Sequence, residues 1–413
     1  MSKIKISNFG PIKEGYLENN GWIDIKKVTV FIGNQGSGKS TVAKLISTMT
    51  WVEKALVRGD FKEKDLTVYN RFVKKHCAYQ NIHNYFKDDT KIEYQGKAYS
   101  ILYELGNVVV KKTRDNSYSF PKIMYVPSER NFVSSVTNVR SLKGLPSTLY
   151  TFSDEFIDAI EELKGHVDLP INNVKFEYQK LNKLSSIIGD DYKIKLSEAS
   201  SGFQSFVPLF IVTSYLSNSL KKETDSTIKE ISIEEGKRIR EEIEKIFSNP
   251  NLSEEVKKAS LEYLSSRFKY SCFINIVEEP EQNLFPSSQR LILNKLLEFV
   301  NMNKGNELVI TTHSPYIINY LTLCVKAESI FKTLKQKKYK LSDPEFAQTN
   351  AVVPMSSIVN ANDLVIYELD ELHGSIKKLP NYNGLPSDEN KLNYNLEDSN
   401  ELFAQLLEIQ QGL

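Results

Sequence analysis

Eight consecutive residues, Gly33-Asn34-Gln35-Gly36-Ser37-Gly38-Lys39-Ser40, combine the groups needed to hold a polyphosphate. Glycines let successive backbone N–H groups turn toward phosphate oxygens, and a helix opening behind them adds the positive end of its dipole. Lys39 is placed to reach the β- and γ-phosphates, the Ser40 hydroxyl suits a magnesium ion, and Thr41 continues the phosphate-facing turn. A second cluster, Glu278-Glu279-Pro280-Glu281, follows the apolar run Cys272–Val277. Carboxylates at the end of a buried strand are unfavourable unless a cation and water use them. In that setting Glu278 is a magnesium-shell acid and Glu279 polarises the water that attacks phosphorus. The third element is His313, directly after Glu307–Thr312. At the carboxyl end of a parallel strand it stands where a γ-phosphate contact would be made. His76, His83, His166 and His373 lack such surroundings, and His76, Cys77 and His83 make a poor metal set.

These residues need a parallel sheet with helices around it. Val28–Ile32 is an unbroken apolar run, expected of a strand buried on both faces. After the phosphate loop, Val42, Leu45, Ile46 and Met49 recur at helical spacing. Ile4–Phe9 reads as a strand, and Lys91–Ser119 as an antiparallel meander with turns at Gln95-Gly96 and Gly106-Asn107. Ile123–Val126 is another strand ending at Pro127, and Thr151–Ile188 reads as mostly helical. Lys221–Lys269 mixes acids and bases densely, with isoleucines near helical repeats, and is expected to be a solvated helical arm. A helix is expected over Pro286–Val300, and a terminal amphipathic helix carries Phe403, Leu406 and Leu407, with Asp398 and Glu401 in capping-box spacing ahead of them.

With the phosphate loop, acidic strand end and histidine in this order, the chain resembles ABC-type ATPase heads of the SMC, Rad50 and RecF kind. The segment Leu196-Ser197-Glu198-Ala199-Ser200-Ser201-Gly202-Phe203-Gln204-Ser205 is similar to the ABC signature. The resemblance implies that Ser200, Ser201, Gly202 and Gln204 contact the nucleotide, reaching the γ-phosphate from a second copy of the chain. Glu281-Gln282-Asn283-Leu284 fills the D-loop position. Within the class, Val277–Pro286 together with Thr311-Thr312-His313-Ser314-Pro315 resembles the OLD-like (overcoming lysogenization defect) ATPases of bacterial anti-phage systems such as Septu, retron-associated and PARIS modules. Two positions depart from the pattern. Glu278 replaces the commoner aspartate, and Ser128 stands where the Q-loop glutamine is expected, leaving its role to Glu129, Arg130 or another residue.

The fold class implied is α/β: a P-loop NTPase, an ABC-type ATPase head with a mixed central sheet, an antiparallel β subdomain and an inserted helical lobe and arm. Its expected divisions are an ATPase lobe over 1–126, a helical lobe over 127–197, the signature helix over 198–218, the charged arm over 219–270, a second ATPase lobe over 271–345 and a C-terminal extension over 346–413. The implied cofactors are ATP and Mg2+, and the implied partners are a second copy and a separate effector nuclease. Higher oligomers and DNA contact stay open, as do two alternatives, a repair ATPase of the RecF or Rad50 type and the energising subunit of a transporter. Lys332, Lys335, Lys337, Lys338 and Lys340 could meet nucleic-acid phosphates, although such a cluster is more often a solvated face. Glu368, Asp370 and Glu371 read as the solvent face and end of a strand rather than a nuclease centre.

Composition narrows the classes further. In 413 residues, 53 Lys and Arg balance 52 Asp and Glu, which excludes a bulk polycation, and 40% hydrophobic residues exclude a mainly disordered chain. Three widely spaced cysteines suggest neither a zinc knuckle nor a disulfide framework. Without a signal-like N-terminus or a membrane-length apolar run, a cytoplasmic protein is expected.

Overall fold

The structure is a computed structural model and describes residues 1–113, 118–136, 139–222, 270–336 and 343–411, together with 244 and 248. The charged arm and Lys337, Lys338 and Lys340 lie outside the described residues, the arm but for its ends and those two positions. Seven strands form the central sheet, in the order Gly15–Tyr16, Ser375–Lys378, Leu364–Leu369, Val28–Gly33, Glu307–Thr312, Cys272–Glu278 and Pro121–Val126. The last five named are mutually parallel. Their register brings Leu369 opposite Gly33, Thr312 opposite Ile32, Glu278 opposite Thr311 and Val277 opposite Val126. Residues that follow these strands therefore meet at one edge, where open α/β sheets hold ligands.

Both faces of the sheet are covered, which explains the continuous apolar runs. Successive side chains of a strand point to opposite faces. Val28, Val30 and Ile32, with Leu308 and Ile310, join a core built with helices Ser201–Lys222, Pro286–Asn301 and Pro315–Gln336. Phe31 and Val309 point the other way, toward helix Lys39–Arg58 and a five-stranded antiparallel sheet. That second sheet runs Ile23–Ile25, Ser2–Phe9, Phe86–Gln95, Tyr99–Glu104, Asn107–Lys112 and contains the expected meander. Val42, Leu45, Ile46 and Met49 are buried as their spacing predicts. Gly59, at φ 84°, ends their helix by donating to the Ala55 and Leu56 carbonyls.

Three expectations are corrected. Thr151–Ile188 is helical only through Glu162, and an antiparallel sheet of His166–Asp168, Lys175–Gln179, Leu184–Ile188 and Lys193–Lys195 follows. The period-two signal there is short and embedded in polar residues, with Asn172 and Asn173 at positive φ making one of the turns. The terminal helix begins at Lys391, so Asp398 and Glu401 lie inside it. Its cap is Asn390, whose Oδ1 accepts from the backbone N–H groups of Leu392 and Asn393 at 3.1 Å each. Glu368 is not on a solvent face: it is 1% exposed and accepts the Lys391 N–H at 2.6 Å. Among the described residues no helix is long and apolar enough to cross a membrane. Cys77, Cys272 and Cys324 are free and buried.

Candidate active site

The phosphate loop leaves strand Val28–Gly33 and enters helix Lys39–Arg58, whose N-cap is Gly38. Gly33 and Gly38 have φ of 141° and 100°, in the left-handed range. A Cβ on Gly33 would lie 2.5 Å from the Leu369 carbonyl oxygen, so the neighbouring strand also requires glycine there. Asn34, Gln35 and Gly36 are exposed at the loop's crest, whereas Ser37 turns inward and donates to the Asn34 carbonyl at 2.8 Å. Lys39 folds back beneath the crest and donates to the carbonyls of Gly33 at 2.9 Å and Asn34 at 2.7 Å. Burial lowers its pKa to about 8, against the opposing pull of Glu279, Glu281, Glu371 and Glu278. Thr41 is buried in the first helical turn, with Ser40 half-buried beside it.

Glu278 and Glu279 occupy different environments although adjacent in sequence. Glu278 ends its strand and is 4% exposed; its Oε2 accepts the Ser128 N–H at 3.2 Å, while its buried Oε1 has no hydrogen-bond partner among the described residues. Glu279 turns the chain with φ 44°, a left-handed value that is strained for a residue with a Cβ. Its N–H donates to the Thr311 carbonyl at 2.8 Å, and its Oε1 lies 3.3 Å from His313 Nε2. The His313 contact lowers the Glu279 pKa, burial opposes this, and the charges of His313, Lys39 and Arg130 lower it further. Glu279 is thus an ionised acceptor suited to orienting and polarising water.

Sequence reasoning missed the part played by Glu281. Its Oε1 accepts from Thr312 Oγ1 at 2.7 Å and from the His313 N–H at 2.8 Å, fixing the strand end that presents the histidine. Burial raises its pKa. Of the Q-loop positions, Ser128 reaches Glu278 through its backbone, and Arg130 is wholly buried and bonded to backbone carbonyls, so its guanidinium is engaged by the protein itself. Glu371, in the turn after strand Leu364–Leu369, accepts from Asn34 Nδ2 at 3.1 Å, a contact between distant segments that no local pattern signals.

The signature segment is built from a separate helix. Ser200 and Ser201 are exposed at the N-terminus of Ser201–Lys222. A Cβ on Gly202 would meet the Asn283 carbonyl oxygen at 2.8 Å, so this glycine also lets the helix approach the D-loop backbone. Gln204 Nε2 donates to the carbonyls of Ser197 at 3.1 Å and Ala199 at 2.9 Å, bracing the turn from within.

The donor set fits Mg2+. Glu278 offers an unpartnered buried oxygen on the edge that carries the phosphate loop. Among the described residues no three His, Cys, Asp or Glu side chains form a metal cage. Magnesium bound with a nucleotide uses one or two protein oxygens, phosphates and water, which matches Ser40 and Glu278. When bound it would supply charge neutralisation on the phosphates.

Residues 259–318 match the family described as AAA ATPase domain, a span that includes Glu278, Glu279 and His313. The chain is a P-loop ATPase. Among curated proteins none matches it significantly in sequence. Solved structures to which it is similar include an SMC head domain from Thermotoga maritima, at 11% identity, 92% of this chain, 98% of that chain and TM-score 0.36. Another is an ATP-binding cassette in a dimeric post-hydrolysis state bound to ADP and Pi, at 12% identity, 92% and 100% coverage and TM-score 0.30. A third is an Smc head with an extended coiled coil, bound to the C-terminal domain of ScpA from Pyrococcus furiosus, at 10% identity, 98% and 100% coverage and TM-score 0.28. At these scores the fold assignment rests on the strand order and the register of the phosphate loop.

Proposed function

We propose that this chain is an ATP-driven switch in which two copies close face to face on two ATP molecules and hydrolysis reopens them. The observation that carries this reading is the ionised Glu279 held 3.3 Å from His313, on the sheet edge shared with Lys39 and the unpartnered Glu278 oxygen. Lys39 takes the phosphates in place of the loop carbonyls it now bonds. Ser40 and Glu278 are the residues that would hold Mg2+. Glu279 orients the attacking water, and His313, held by Glu281, keeps Glu279 ionised and meets the γ-phosphate. Ser201 and Gly202 of the second copy complete the pocket with their helix N-terminus, a role supported by the exposure of Ser200 and Ser201.

The proposed output is control of a separate effector nuclease in a bacterial anti-phage complex acting in the cytoplasm. This is supported by the Val277–Pro286 and Thr311–Pro315 segments and by the state of the other acids. Glu368 is buried against the Lys391 N–H, and Lys391 Nζ lies 3.2 Å from Asp370 and 3.3 Å from Glu371, so these carboxylates brace the head.

A mixing experiment tests the shared pocket. Chains carrying Lys39→Ala and chains carrying Ser201→Arg should each be inactive alone. Mixed in equal amounts, they should recover about a quarter of wild-type hydrolysis, since half the dimers then hold one intact site of two. No recovery, with both variants folded and exchanging subunits, would overturn the shared-site reading.

A further inference from the structure

Arg130 is the largest fully buried side chain of the described protein. Among the described residues its guanidinium makes no carboxylate fork. Nη1 donates to the carbonyls of Glu278 at 2.6 Å and Pro127 at 3.2 Å, Nη2 to that of Glu279 at 2.5 Å, and Nε to that of Ser205 at 3.2 Å. One rigid planar group thus joins the turn after strand Pro121–Val126, the end of the acidic strand and the signature helix at Ser205. Burial lowers its pKa to about 10 while the nearby charges of Glu281, Glu279, Glu278 and Glu129 favour the cation. It therefore remains charged at neutral pH.

The carbonyls it takes are not arbitrary. Glu279 has φ 44°, and its own N–H is held by the Thr311 carbonyl. With Arg130 on the carbonyls of Glu278 and Glu279, the peptide groups on both sides of the strained residue are fixed. On the signature side, Pro208 interrupts the helix and has no N–H to give the carbonyl four residues earlier. That carbonyl, of Gln204, accepts from Ser134 Oγ at 2.7 Å instead. The next carbonyl along is that of Ser205, bonded to Arg130, while Ser205 Oγ bonds Gln282 Oε1 at 3.0 Å. Two ties therefore run from a single signature residue to the segment carrying Glu279.

We propose that Arg130 is a positioning residue: it holds the Glu279 turn and couples it to the signature helix, so that a nucleotide engaging that helix from the opposite copy also sets the water-polarising carboxylate. This inference rests on the assignment of Glu279 given above. Lysine, a point charge with three donors, cannot reproduce a fork that serves four carbonyls.

The test uses the full chain with Arg130→Lys and Arg130→Met, measuring ATP affinity by calorimetry and turnover per competent site. Affinity should stay within about threefold of wild type while kcat falls about 100-fold, the scale of misplacing a catalytic group by an ångström. A packing role alone would lower the melting temperature and the fraction of competent sites but leave kcat per site within about threefold, and that result overturns the proposal. If neither variant folds, Gln282→Leu cuts the second tie with Arg130 in place. It should lower kcat about tenfold at unchanged affinity, and wild-type kcat there would overturn the coupling. Glu279→Gln is assayed alongside. An inactive Glu279→Gln with an active Arg130→Lys sinks this inference alone, whereas an active Glu279→Gln sinks the function on which it rests.

Discussion

If Lys39 takes the phosphates as proposed, nucleotide binding is a proton-linked event. In the free protein its ammonium is buried against two loop carbonyls, and burial lowers its pKa to about 8. A bound triphosphate places several negative charges beside it and must raise that pKa, because an opposite charge favours the cation. ATP binding then draws a proton from solvent in proportion to the fraction of Lys39 that was neutral. That fraction is about 0.1 at pH 7, about 0.5 at pH 8 and about 0.9 at pH 9. The sign follows from the lowered pKa: affinity is full below pH 8 and weakens above it, by about tenfold at pH 9. Phosphate adds little to this signal, since its last proton leaves near pH 6. Calorimetry at pH 7, 8 and 9, in buffer pairs of different ionisation enthalpy, reads the proton count directly. Lys39→Arg retains the charge throughout this range and should abolish the uptake. Wild-type affinity that does not change from pH 7 to 9, with no proton uptake, would refute the buried-cation argument.

Other perturbations probe separate parts of the fold. His313→Ala removes the group whose contact lowers the Glu279 pKa, so kcat should fall about 10-fold to 100-fold and the acid limb of its pH profile should move upward. Gly202→Ala places a methyl group 2.8 Å from the Asn283 carbonyl oxygen; the helix must shift, lowering unfolding stability by about 1–3 kcal/mol and kcat with it, as denaturant titration and a coupled ATPase assay would show. Leu293→Ala, at a fully buried site in the helix-covered core, should cost about 2–5 kcal/mol of stability without changing ATP affinity in the surviving folded protein.

What the sequence revealed divides along physical lines. The phosphate loop and the strands Val28–Gly33, Cys272–Glu278 and Glu307–Thr312 were legible because backbone chemistry and two-sided burial both act on consecutive residues. The sheet His166–Lys195 was not, because its strands are short and carry polar residues where only one side is covered. Glu278, Glu279 and His313 could be picked out as strand ends, and the structure gathers them on one edge. The residues that hold them were hidden. Glu281 acts on Thr312 and His313 across a gap of some 30 positions, and Arg130 reaches Glu278 and Glu279 from the turn after a different strand. Hydrogen bonds to backbone carbonyls leave no residue-type signature at the accepting end, so only the folded register reveals them.

The central claim, that Glu279 polarises the water in a pocket completed by a second copy, is tested most directly by the mass of Glu279→Gln with and without ATP and magnesium. The substitution removes the carboxylate charge but keeps its size and leaves Lys39 and the signature turn untouched. Sedimentation should show a monomer without nucleotide and a stable dimer with ATP, while phosphate release falls at least about 100-fold. Wild-type turnover in this variant, or a monomer at saturating ATP, would contradict the account.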